Sequence, residues 1–179
     1  MRRARVLGAV VVALVTGACT AVVVPIGPPP RCEPSPRLAI IAQSVETAAY
    51  LPCIADLPPG WSFTRLEVSD AGTTISLASD RADRAVEVEL VPSCNVSGAT
   101  PIEPSDEGVR TYNRVETINP RFAGRTLDVF PGGCVVTTYS FERGPHVALI
   151  TELTDAVSLF SRRELRQGLE AKFGVRLDP

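Results

Sequence analysis

Across the middle of the chain, apolar and polar residues alternate in short runs broken by turn-forming residues, the period of half-buried β-strands. Trp61-Ser62-Phe63-Thr64 opens the first run, which continues through Leu66 and Val68. Asp70-Ala71-Gly72 turns the chain into a second run, Thr74-Ile75-Ser76-Leu77. After a polar loop at 79–83, Val86, Val88 and Leu90 form one face opposite Glu87 and Glu89. Residues 95–107 are polar, contain Pro and Gly, and read as a loop. Further strands are predicted at 109–118, 125–130, 135–141 and 146–153, with turns at Asn119-Pro120, Gly132-Gly133 and Gly144-Pro145. Short hairpin connections make such a sheet antiparallel.

At both ends the period changes to helical spacing. Ser35-Pro36 opens one helix, in which Leu38, Ile41, Val45 and Ala48-Ala49 share a face, and Pro52 is expected to stop it. Near the C-terminus Ser161 reads as an N-cap with Glu164 three residues on, a capping box. Phe160 and Leu165 are placed to staple that turn; Leu165, Leu169 and Phe173 recur on one face, and Gly174 supplies a left-handed stop. The expected fold class is α+β: an antiparallel sheet of about 6–7 strands with an N-terminal and a C-terminal helix packed on it.

The N-terminus changes the picture from fold to place. Arg2, Arg3 and Arg5 precede an uncharged stretch over 6–26, and Val15-Thr16-Gly17-Ala18 brings small residues up to Cys19. A positive start, an apolar middle and a small-residue cut form the layout of an export signal. With Cys19 directly after Gly17-Ala18, the segment resembles the lipobox of bacterial lipoproteins of the actinobacterial type. The resemblance implies that Cys19 is acylated and becomes the first residue of the mature chain. A competing expectation is an uncleaved single-pass anchor, because 6–26 at 1.5 Å per residue spans about 30 Å, enough for a bilayer; its arginines would then face the cytoplasm. Cleavage near Ala18 or Ala21 with free secretion is the third. All three put the remainder outside the cytosol, and the membrane is the first expected partner.

The organisation expected is 1–18 as signal peptide (or part of a 6–26 anchor), 19–35 as a Pro-rich tether, and 36–179 as a single extracytoplasmic domain. Pro25, Pro28, Pro29, Pro30, Pro34 and Pro36 favour an extended, semi-rigid spacer. Without Arg2, Arg3 and Arg5 the 18 basic residues fall to 15 against 20 acidic ones, a net charge of −5. No basic patch is visible, which argues against nucleic acid as a partner.

The remaining cysteines, Cys32, Cys53, Cys94 and Cys134, are an even set for an oxidising compartment and read as disulfides. Of the three pairings, Cys32–Cys53 and Cys94–Cys134 are favoured. Pro92-Ser93-Cys94 and Pro131-Gly132-Gly133-Cys134 both follow apolar strands, and two like strand ends can lie side by side in one sheet. No Cys-x-x-Cys spacing occurs and His146 is the single histidine, so neither metal nor cofactor is expected.

Candidate chemistry is sparse. Any Ser-His or Cys-His nucleophile would have to use His146, and no Gly-x-Ser-x-Gly elbow accompanies it, so an ordinary strand-end residue is the expected reading. The carboxylate pairs Asp80/Asp83, Glu87/Glu89 and Asp106/Glu107 read as solvated faces. Trp61 with Tyr112 and Tyr139 could form an aromatic platform, but a core tryptophan bonded to a carbonyl is the plainer reading. The expected function is a non-enzymatic binding or accessory module of the cell envelope, with an envelope protein as candidate partner. The alternatives are capture of a lipid or small apolar ligand between sheet and helix, recognisable by a pocket of a few hundred Å3, and an envelope hydrolase.

Overall fold

The computed structural model describes residues 22–24, 27–81, 86–104, 106–141 and 146–177. Cys19 and the export signal lie outside the described residues. In chain order the first elements are β1 (Val22–Val24), α1 (Pro36–Ser44), β2 (Tyr50–Ile54), β3 (Trp61–Ser69), β4 (Gly72–Ser79) and β5 (Val86–Val91). Then follow β6 (Thr100–Ile102), β7 (Arg110–Thr117), β8 (Phe122–Phe130), β9 (Gly133–Phe141), α2 (His146–Ala156), β10 (Val157–Ser161) and α3 (Arg162–Phe173).

The main sheet is antiparallel with seven strands in the order β3-β4-β5-β9-β8-β7-β6, and β1 pairs along the outer edge of β3. A separate ribbon pairs β2 with β10. The expected α+β class and strand number are therefore found, with a third helix and the ribbon in addition. The hairpin β3–β4–β5 follows from the alternation: Leu66, Ile75 and Val88 are register partners and all buried, while Glu87 faces solvent. Leu38 and Ile41 of α1, Leu51 and Ile54 of β2, and Leu165 and Leu169 of α3 complete one core over that aliphatic half.

Laterally the same face changes character. The row that begins Leu66, Ile75, Val88 continues as Thr137, Thr126, Asn113. Its neighbour begins Thr73, Leu90, Val135 and continues as Asp128, Thr111. On the opposite face Leu127, Cys134 and Val136 form a second small core with Tyr112, Val129 and Cys94. Both faces of β7–β9 are therefore covered, the outer one by the loop that Cys94 secures.

The two disulfides join the expected pairs, Cys32–Cys53 with Cα atoms 5.0 Å apart and Cys94–Cys134 at 6.0 Å. Cys134 is the register partner of Val91 at the end of β5, the side-by-side strand ends that the sequence suggested. Part of the stretch read as tether lies on the domain: Pro30 is buried and accepts from the Ile54 amide at 2.8 Å, and Pro34 packs where any side chain on Gly168 would stand.

Four expectations need correction, the first being the loop at 95–107, where Thr100–Ile102 pair with β7 as the edge strand β6. Residues 146–153 form a helix, not a strand, because Leu149, Leu153 and Ala156 recur at helical spacing and are all buried. The first helix stops at Ser44, well before Pro52, which lies inside β2; a two-stranded ribbon has free edges that tolerate a proline. Ser161 is the N-cap of α3, but its side chain makes no capping bond, and Phe173, the last helical residue, is 46% exposed. Gly174 does close α3 in the left-handed region, at φ 65°.

Candidate functional site: a cleft beneath the second helix

Where the sheet's inner face turns polar, α2 and β10 roof it with apolar side chains. A polar floor cannot interdigitate with an aliphatic roof, and a cleft of about 330 Å3 remains between them. The floor is Thr111 and Asn113 of β7, Thr126 and Asp128 of β8, and Thr137 and Tyr139 of β9, each pair at i, i+2 on one face. Ile150, Leu153 and Thr154 of α2, with Val157, Ser158 and Leu159 of β10, form a mostly aliphatic roof. Ile102, Glu103 and Asp106 stand at the rim. Volume and mixed lining are those of a small-molecule site.

The roof is fixed by one side chain. Glu152 of α2 accepts the Trp61 ring N–H at 2.7 Å and an Arg81 guanidinium N–H at 2.8 Å, and forms an ion pair with the same guanidinium. These donors, Arg81 first, hold the Glu152 carboxyl below the usual carboxylate range. Trp61 is a core residue as expected, at 7% exposure, but its partner is a carboxylate and not a carbonyl. The far end of α2 rests on an aromatic stack: His146 lies 5.5 Å from Phe122, which lies 5.9 Å from Tyr139, itself 5.7 Å from Phe141. Gly124 permits this stack. A side chain there would meet the Tyr139 hydroxyl at 2.8 Å and the Arg114 carbonyl at 2.6 Å, so only glycine lets the ring cross β8. The Tyr139 hydroxyl then donates to Asn113 Oδ1 at 3.3 Å, and burial pushes the phenol's pKa up.

Asp128 is the floor's charged group. Its Oδ1 accepts the Thr111 hydroxyl at 2.7 Å. Burial raises its pKa most strongly; the Thr111 bond opposes the rise, and the nearby Asp106 charge adds to it. A carboxyl with a raised folded-state pKa contributes stability that is full below the unfolded-chain value of about 3.9 and is lost as pH rises through the folded value. Asp128→Asn keeps an acceptor for Thr111 and removes the charge. It should therefore unfold at higher urea than the parent at pH 7, with the gap closing towards pH 4. A variant no more stable at pH 7 than at pH 4, relative to the parent, would contradict this account. Retaining a costly acid at the floor of a cleft is the pattern of a functional group.

The remaining sequence candidates disperse. Tyr112 lies on the outer face, so Trp61, Tyr112 and Tyr139 make no common platform. Glu87 is exposed; Asp83 lies outside the described residues; Asp106 lines the cleft while Glu107 is exposed. His146 starts a helix instead of a strand, and its Nδ1 is buried without a partner among the described residues. Among the described residues no three His, Cys, Asp or Glu side chains are gathered to hold a metal, and no helix is long and apolar enough to cross a membrane. The sequence reading missed Asp128, Asn113 and Glu152. No family model, curated protein or solved structure matches the chain.

Proposed function

We propose that this chain is a membrane-tethered extracytoplasmic module that works by non-covalent binding, and that the cleft beneath α2 is where it binds. The observation that carries the reading is the unfilled space between a hydrogen-bonding floor and an aliphatic roof. That arrangement suits a small amphipathic molecule better than a flat protein partner, so of the binding roles the small-ligand one is preferred. Acylated Cys19, or the 6–26 stretch as an anchor, would hold the domain to the outer face of the membrane. Two disulfides fit an oxidising compartment.

Native mass spectrometry of protein purified from its own membranes tests the reading. The expected result is an added non-covalent mass of a few hundred daltons, absent from Thr154→Trp, which places an indole at the exposed mouth of the cleft. A bare parent spectrum, or an adduct unchanged in the Trp variant, would overturn it.

A further inference from the structure

The cleft's charge is one-sided. Glu103, Asp106 and Asp128 line it, and no lysine or arginine does among the described residues. The chain as a whole is nearly balanced, with 18 basic and 20 acidic residues. Among the described residues Asp128 accepts one hydrogen bond, from the Thr111 hydroxyl, a neutral donor, and pairs with no cation. A half-buried carboxylate is stabilised by a counter-charge or a fuller set of donors. A second observation is independent of charge. Thr137 is only 8% exposed and lines the cleft, and its hydroxyl has no hydrogen-bond partner among the described residues. Its oxygen opens onto the cleft, where a polar group entering it can make the bond that the chain does not supply. Opposite this floor Ile150 and Leu153 offer aliphatic surface.

We propose that the cleft binds a compact organic cation, an amine whose ammonium is taken by Asp128 and whose apolar body lies along Ile150 and Leu153. An ammonium carries donors and no acceptor, which complements a carboxylate and a threonine oxygen together. The acidic rim at Glu103 raises the local concentration of cations and repels anions such as fatty acids and phosphate esters. This inference rests on the cleft's being the binding site.

A matched series separates the two ideas. Hexylammonium, hexanol and hexanoate share one apolar body and differ in head charge. Each is titrated calorimetrically into the full chain in neutral nanodiscs, with empty nanodiscs as the blank. Hexylammonium should bind at least ten-fold more tightly than the other two. Asp128→Asn should abolish that preference, and Glu103→Gln, at the exposed rim, should reduce it about two- to three-fold while leaving the circular-dichroism melt unchanged. Hexanol or hexanoate binding as well as the amine, in a manner blocked by Thr154→Trp, would overturn the cation and leave the cleft as a binding site. If none of the three binds, and Thr154→Trp changes no titration, both ideas fail.

Discussion

Replacing Arg162 with methionine lowers the unfolding free energy by about 3–5 kcal/mol. The reason lies at the other end of the chain. Helix α1 ends at Ser44 without a glycine cap or a basic residue in its last turn, and Val45 follows at φ −139°. Carbonyls at its end and in the loop beyond are met instead by Arg162: one terminal nitrogen donates to Ala42 O at 2.5 Å and to Val45 O at 2.7 Å, and Nε donates to Ala48 O at 2.7 Å. The side chain is 8% exposed, and burial, followed by the Arg166 charge, pulls its pKa down, yet an arginine stays charged at any physiological pH. A planar guanidinium reaches three carbonyls at once. Methionine fills much the same volume and leaves all three buried without donors, each costing about 1–3 kcal/mol. Arg162→Lys should recover only part of the loss, because a single ammonium nitrogen cannot span three acceptors. Arg166→Ala, at an exposed neighbouring position, should fall within about 0.5 kcal/mol of the parent. Equilibrium urea unfolding at neutral pH decides. A loss below about 1 kcal/mol in Arg162→Met would mean that water reaches these carbonyls.

Arg162 also marks where the sequence stopped being legible. Ser161 with Glu164 three residues on announces a helix start, and nothing in that local pattern gives Arg162 a distant partner. Only the fold shows that its partners are residues 42–48. The cleft was hidden for a related reason. In β8, Thr126 and Asp128 alternate with Leu127 and Val129, and alternation alone assigns the polar pair to solvent. That inference fails wherever something covers both faces. Here the Cys94 loop covers the Leu127 face and α2 covers the Thr126 face. With 146–153 read as a strand, the helix that roofs this cleft is missing from the expected fold. Segments such as His146-Val147-Ala148-Leu149-Ile150-Thr151 mix β-branched residues with a helical spacing, and short apolar runs do not distinguish the two. By contrast β3–β5 and the disulfide pairing were readable, because adjacent hairpins and matching strand ends are local features.

The other large effect concerns the two disulfides, and the two bridges should behave differently despite similar energies. Closing a loop removes freedom from the unfolded chain, and the chain-entropy relation gives about 3–4 kcal/mol for bridges of sequence separation 21 and 40. Alanine is the right replacement, since Cys53 and Cys134 are fully buried and serine would leave a hydroxyl there. Cys32→Ala with Cys53→Ala frees the segment that leads into α1 from β2, whose Ile54 amide still bonds Pro30; the cleft is untouched. Cys94→Ala with Cys134→Ala frees the connection between β5 and β6, and β6 carries Ile102 to the cleft rim with Glu103 beside it. Both double variants should lose about 3–4 kcal/mol in urea unfolding. Amide exchange should then separate them: added exchange at Thr100–Ile102 and at its partner stretch in β7 for the second variant alone. Hexylammonium affinity should follow the same division, reduced several-fold by the loss of Cys94–Cys134 and unchanged by the loss of Cys32–Cys53. If the first variant also loosened β6, the two staples would be acting on one cooperative unit, and the rim would owe its order to the whole fold instead of to the bridge beside it.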